Sequence, residues 1–145
     1  MSTASVEHQD FYAWTQQQAD LLRHKNFDKI DLEHLIEEIE SMGNSEVREL
    51  ESRLTVLLMH LLKWQYQPKL QTRSWVLTIK EQRRRIVKRL QQSPSLKSKL
   101  QEIINDAYEL ARGDAVDETG LSESSFPETC LWEYSHFIDM EFWPK

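Results

Sequence analysis

Two pairs of residues have side-chain types that could bind a metal ion or act in catalysis. His34 and Glu38 are four residues apart in an acidic segment, so a helix would place an imidazole and a carboxylate on one face, where they could hold a divalent metal. Helical bundles that bind metals through carboxylates repeat a Glu-x-x-His pair on two helices, and this chain has the reverse order once. We therefore interpret the segment as a solvated acidic face and assign no metal ligand and no cofactor. A metal-dependent enzyme using His34, Glu37 and Glu38 is the most distant alternative.

The second pair is Cys130 and His136, which could supply a thiolate and its base. Their separation of six residues turns them to different sides of a helix, so a packed cysteine is the favoured interpretation. His60 lies beside a leucine-rich stripe and is expected to be a hydrogen-bonded, partly buried histidine. The sequence has no glycine-rich phosphate loop and no nucleophile elbow. We assign no catalytic residues and favour a protein without enzymatic activity.

Basic residues are concentrated in the middle of the chain. Residues 69 to 100 hold ten bases against one acid, a net charge of +9, while the whole chain carries −6 and the remainder therefore −15. At 100° per residue, Lys80, Arg84 and Lys88 fall on the outer side of a helix and are the candidates for binding an anionic partner. Neutralisation by acidic helices of the same molecule is the simpler interpretation, and a nucleic-acid-binding surface is the alternative.

Arg83 differs from those three residues because it flanks the apolar side of the same predicted helix. A guanidinium in that position buries its methylene groups and needs an acceptor. We predict a structural ion pair between Arg83 and either Glu37 or Glu40.

Aromatic residues and a proline form a predicted corner between two helices, at Trp64, Tyr66 and Pro68. Such a corner is usually a packing joint. Trp64 and Tyr66 are nevertheless retained as candidate partner-binding residues, because an exposed aromatic edge is a common feature of protein interfaces.

Composition limits the fold that positions these residues. The 145 residues include only three glycines and four prolines, too few for the many tight turns of a sandwich or barrel. The length suits one domain, and we place it at residues 8–144 after a flexible N-terminus at 1–7. One cysteine and no apolar run long enough to cross a bilayer favour a cytoplasmic protein without membrane association.

Hydrophobic periodicity predicts a compact, bundle-like, all-α domain of five to six helices. Leu32, Leu35, Ile36 and Ile39 follow the spacing of a buried helix face, and Gly43 is expected to end that helix. A leucine stripe then predicts a central core helix, and Gly113 is expected to end a later helix before an acidic loop. The predicted helices cover about residues 10–25, 31–42, 45–65, 73–92 and 94–113, with a sixth after Pro127.

Several short motifs, taken in order, resemble a bacterial family of cyanobacterial type called domain of unknown function 29. The motifs are Asp10-Phe11-Tyr12-Ala13-Trp14, Leu35 to Gly43, His60-Leu61-Leu62-Lys63-Trp64, Ser74-Trp75 with Gln82-Arg83, Pro94-Ser95-Leu96, Glu118-Thr119-Gly120-Leu121, and Phe126-Pro127 with Cys130, Trp132 and Phe142. The resemblance implies an all-helical domain and no particular activity. Because Arg83 belongs to these motifs and Lys80, Arg84 and Lys88 do not, the resemblance favours a structural role for Arg83.

These observations favour a small protein that acts as an interaction or regulatory module, through a protein partner or through self-association. The alternative is a nucleic-acid-associated protein, such as a component of a toxin and antidote pair, that uses the basic helix.

Overall fold

The computed structural model describes residues 10–145 and is all-helical over that part of the chain. Contacts divide the chain into two units, Met1–Ser45 and Glu46–Lys145, which are described separately below. The predicted fold class is confirmed, and the five α-helices of the described residues fall within the predicted number. They are α1 (Phe11–Arg23), α2 (Leu32–Tyr66), α3 (Arg73–Gln92), α4 (Leu100–Thr119) and α5 (Tyr134–Phe137). The predicted flexible segment 1–7 lies outside the described residues.

Short 3-10 turns connect the helices at Phe27–Lys29, Pro68–Leu70, Pro94–Lys99 and Glu123–Ser125. Side chains cap the starts of α1 and α3. Asp10 accepts a hydrogen bond from the backbone N–H of Ala13, and Thr72 accepts one from that of Trp75. Both bonds satisfy N–H groups that a helix leaves unpaired at its first turn.

The predicted break at Gly43 is wrong, because α2 runs without interruption from Leu32 to Tyr66. A glycine ends a helix when it adopts positive φ, and within the described residues the only glycine that does so is Gly120. A glycine inside a helix costs about 1 kcal/mol relative to alanine. Buried leucines follow Gly43 at helical spacing, and their packing outweighs that cost.

The end predicted at Gly113 is wrong for the same reason. Helix α4 continues to Thr119, and Gly120, with φ of 73°, takes the left-handed position that follows its last turn. Ala107, Ala111 and Ala115 are all fully buried at four-residue intervals, so the buried face of α4 extends beyond Gly113. The first half of the acidic stretch expected to be a loop, residues 114–119, is therefore part of α4.

The hydrophobic core of the second unit is built around α2, as the leucine stripe predicts. Leu50, Leu54, Leu57, Leu58 and Leu61 are completely buried. They belong to one cluster with buried residues of the other elements, which include Ile79, Ile86, Ile103, Ala107, Phe126 and Phe137. The C-terminal aromatic residues Phe142 and Trp143 are half-buried against this cluster, so the C-terminal segment docks on the core.

Candidate interaction surface

A polar cluster in the first unit fixes the start of α2. Trp14 is 1% exposed, and its indole Nε1 donates to the carboxylate of Asp31 over 3.1 Å. The backbone N–H of Asp31 donates to the Gln18 side-chain oxygen at 2.7 Å, and the His34 Nδ1 lies 2.8 Å from the same carboxylate. Asp31, in the connection just before α2, is therefore held by two side chains of α1 and one of α2.

The next three turns of α2 expose an apolar face. Leu32, Ile36, Ile39 and Met42 are 60%, 46%, 61% and 63% exposed, and they recur every three or four residues, so they line one side of the helix. We call these four residues the apolar face. The predicted burial of Leu32, Ile36 and Ile39 is wrong. Periodicity identifies an apolar helix face, but it does not show whether that face packs against the same chain or against a partner.

Acidic side chains border the apolar face. Glu33 and Glu40 lie on one edge of it by helical geometry and are exposed, as is Glu37 one step further round the helix. Among the described residues, none of these three carboxylates has a hydrogen bond or an ion pair. The first unit thus presents apolar side chains next to uncompensated negative charge.

His34 and Glu38 do not form a metal site with their neighbours. The described residues contain no group of three or more His, Cys, Asp or Glu side chains arranged to hold a metal ion. His34 is instead part of the cluster at Asp31, which serves to position the helix.

Helix α3 carries the predicted basic residues on its outer side. Arg84 and Lys88 are exposed, Lys80 is partly exposed, and none of the three has a carboxylate partner within residues 10–145. Leu77 and Val87 are exposed on the same side, at 52% and 39%. We call these five residues the basic stripe. By contrast, Arg85 and Arg89 pair with Glu81 and Glu46.

Arg83 is buried at 1% exposure, in keeping with a structural role, but its partners differ from those predicted. Its Nε donates to the carbonyl oxygen of Phe137 at 2.8 Å and its Nη2 to that of Phe142 at 2.6 Å. Its guanidinium also lies 5.2 Å from the ring centre of Trp143. The hydrogen bonds of Arg83 therefore go to main-chain carbonyls of its own unit, whereas Glu37 and Glu40 are exposed residues of the first unit.

Both carbonyls belong to the docked C-terminal segment. Burial lowers the pKa of Arg83 from its ordinary value, and the nearby Asp139 opposes that shift. The guanidinium remains charged, because arginine titrates far above neutral pH. Sequence reasoning finds the buried arginine from its position on the helix, but carbonyl partners more than 50 residues away leave no sequence signal.

Trp64 and Tyr66 are half-buried and packed within the second unit. The ring of Trp64 lies 4.8 Å from that of Trp143, and the ring of Tyr66 meets Phe126 edge-on at 5.3 Å. The corner thus contributes to the docking of the C-terminal segment, as the packing-joint interpretation predicts. Their additional role in binding a partner stays a prediction.

A cavity of about 550 Å³ opens beside α4 and brings Tyr108, Arg112 and Cys130 together. The hydroxyl of Tyr108 donates to the Pro127 carbonyl at 2.6 Å, and the Cys130 thiol donates to that of Trp132 at 3.4 Å. Burial raises the pKa of Tyr108 to about 12 and raises the pKa of Cys130 above its ordinary value. Both groups stay protonated at neutral pH, so neither is an activated nucleophile. His136, which was considered as a base for Cys130 and not favoured, is exposed.

His60 makes the free energy of unfolding depend on pH. Burial lowers its pKa below 6.5, and its Nδ1 lies 2.8 Å from the Val56 carbonyl oxygen. The folded state therefore binds fewer protons than the unfolded state near and below pH 6.5, so the contribution of His60 to stability is present above that pH and lost below it.

We expect the free energy of unfolding of the wild type to fall, relative to that of His60→Gln, as the pH is lowered from about 7 to about 5, where the histidine is protonated in the unfolded state. Urea unfolding followed by tryptophan fluorescence across this range measures the difference. Parallel curves for the two proteins would show that His60 does not titrate differently on folding.

Within the described residues, no helix has both the length and the apolar character needed to cross a bilayer.

Comparison with known proteins adds one finding. A family model described as domain of unknown function DUF29 matches residues 7–143, nearly the whole chain. No curated protein and no solved structure gives a match.

Proposed function

Because the chain belongs to the DUF29 family, whose description carries no activity, we propose from its surface that it is a protein-interaction module and that it binds a helical segment of a protein partner through the apolar face. The observation that carries this proposal is the exposure of Leu32, Ile36, Ile39 and Met42 along three turns of α2. Exposed apolar side chains that form one continuous row are typical of binding surfaces.

The rigidity of the surface supports the proposal. The apolar face belongs to a helix of 35 residues, and its first turn is held by the hydrogen bonds at Asp31. A preorganised helix loses little conformational entropy when a partner binds. The four side chains are spaced for a second helix, which would contact them at i, i+4, i+7 and i+10.

A site-specific cross-linking experiment tests the proposal. A photo-crosslinking amino acid is placed at position 36, in the apolar face, and at position 110, where Leu110 is also exposed but lies on α4. In a lysate of the source organism, we expect one protein to be cross-linked from position 36 and not from position 110. The purified partner should then protect the backbone amides of residues 32–42 from hydrogen exchange.

The variant Ile36→Asp with Ile39→Asp should lose this partner, with at least a tenfold weaker affinity, because two buried contacts at the centre of an interface are replaced by desolvated charges. Leu110→Asp is the matched control and should bind as the wild type does. Equal cross-linking from both positions, or unchanged binding by the double variant, would contradict the proposal.

Nucleic-acid binding is the second candidate, and the unpaired cations of the basic stripe favour it. The net charge of −6 opposes it, since a polyanion repels an acidic protein unless the bases are gathered on one side. Fluorescence anisotropy with labelled DNA and RNA tests it: binding that weakens steeply with salt and is lost in Arg84→Glu supports this candidate, and no binding at low salt rejects it.

A further inference from the structure

We propose that the partner of the apolar face is a second copy of this chain, which contributes its basic stripe. This inference rests on the proposed function, because it names the helix that the apolar face binds. The two surfaces lie on different helices, α2 and α3, so each copy supplies one of each kind.

The two surfaces match in length. The apolar face extends from Leu32 to Met42, ten residue steps or about 15 Å of helix, and the basic stripe from Leu77 to Lys88, eleven steps or about 16 Å. Both repeat every three or four residues, as helix-to-helix packing requires, except that Val87 and Lys88 of the stripe are adjacent. Leu77 at one end of the stripe and Val87 near the other add apolar contacts.

The two surfaces are also complementary in charge. Glu33 and Glu40 border the apolar face without a partner among residues 10–145, and Arg84 and Lys88 on the stripe likewise lack one. Carboxylates that border the row on one helix can pair with basic side chains of a facing helix, and such complementary charges favour one partner over others. Two faces of like charge would repel each other, so this pairing is favoured over contact between two apolar faces.

The proposed assembly is a two-fold dimer. Each copy then offers its apolar face to the stripe of the other, and the contact is made twice. One three-turn helix pair is small for a stable interface, and the repetition doubles the buried area. The expected species is a dimer of twice the 17.3 kDa chain mass.

Charge reversal tests the pairing directly. The first variant is Glu33→Lys with Glu40→Lys, and the second is Arg84→Glu with Lys88→Glu; all four residues are exposed, so folding should be unaffected. By light scattering coupled to size exclusion, we expect the wild type to be dimeric and each variant alone to be monomeric at the same concentration. An equimolar mixture of the two variants should be dimeric again, because both contacts then join opposite charges.

Glu102→Lys with Glu109→Lys is the matched control, since it reverses two exposed acids on α4 and should leave the dimer intact. The dimer should also dissociate on dilution, as an intermolecular contact does, and weaken as salt is raised. A wild type that is monomeric at about 100 μM, the weak end of specific association, overturns the inference. So does a mixture of the two variants that remains monomeric.

The two proposals can fail separately. If the wild type is monomeric but position 36 still cross-links a different protein, the apolar face is a binding surface and only the identity of its partner is wrong. If the chain is dimeric but Ile36→Asp with Ile39→Asp leaves the dimer unchanged, the apolar face is not its interface, and this inference fails whatever the lysate experiment shows.

Discussion

Replacing Arg83 by methionine is expected to lower the free energy of unfolding by about 3 to 5 kcal/mol. Methionine keeps much of the apolar stem but removes the guanidinium that donates to the carbonyl oxygens of Phe137 and Phe142. A hydrogen bond from a charged donor contributes about 1.5 to 3 kcal/mol, and the acceptors of two such bonds would be left unpaired.

Arg73→Met is the matched control, because Arg73 lies on the same helix outside the basic stripe and is exposed without an ion pair among the described residues. Its effect should stay within about 0.5 kcal/mol, as for most surface substitutions. Urea unfolding measured by tryptophan fluorescence gives both values. A small loss in Arg83→Met, or an equal loss in both variants, would show that Arg83 does not hold the C-terminal segment.

A lysine at position 83 separates charge from geometry. Arg83 reaches two carbonyls with two nitrogens of a planar group, whereas an ammonium on a single stem can keep the charge but not both bonds in the same directions. Arg83→Lys should therefore be clearly less stable than the wild type, and hydrogen exchange should show faster opening of residues 137–143.

Arg83 also shows how far the sequence predicts this structure. Its burial follows from its position beside the apolar side of an amphipathic helix, which is a local property. The identity of its acceptors depends on where residues 137 and 142 dock, and carbonyl oxygens are the same in every residue. From the sequence, a buried arginine is readily assigned a carboxylate as its partner. In this structure, main-chain carbonyl groups are the partners of Arg83 instead.

The helix ends show a related limit. Gly43, Gly113 and Gly120 are the same residue in the sequence, yet only Gly120 adopts positive φ. What distinguishes them is tertiary packing: buried residues continue the helix face after Gly43 and Gly113, and Thr119 is the last helical residue before Gly120. Tertiary packing therefore decides where a glycine stops a helix.

The two surfaces proposed for binding also show what the sequence can and cannot predict. The sequence predicts the outward direction of Arg84 and Lys88 correctly, because the buried residues of α3 define its inner side. For α2 it predicts one apolar side for residues 32–39 and another for residues 47–62, and only the second lies in the core. In sequence, an apolar row that the described residues leave exposed looks the same as a core stripe, and exposure in the structure separates the two.

Replacing Phe137 by alanine is the second large effect, and we expect it to lower the free energy of unfolding by about 3 to 5 kcal/mol. Phe137 is completely buried in the core cluster, although it lies on a helix of only four residues. The loss has two parts, the transfer of the ring to water and the cavity left behind. Leu131→Ala is the matched control, because Leu131 belongs to the same segment but is 74% exposed.

The effects of Phe137→Ala and Arg83→Met should not be additive. Both act on the docking of residues 134–143, since the carbonyl of Phe137 is one of the acceptors of Arg83. Once the phenyl anchor is removed, the segment opens more easily and the carbonyls can bind water, so the loss of the guanidinium costs less. The double variant should be more stable than the sum of the single losses predicts by about 0.5 to 3 kcal/mol.

Leu131→Ala combined with Arg83→Met should be additive, because the exposed side chain of Leu131 lies outside the core cluster. Additivity in both pairs would mean that Phe137 and Arg83 stabilise the chain independently. Coupling in the first pair alone would identify the C-terminal segment as one cooperative unit, anchored in the core cluster by a phenyl ring and bound to α3 through hydrogen bonds from a guanidinium to its backbone.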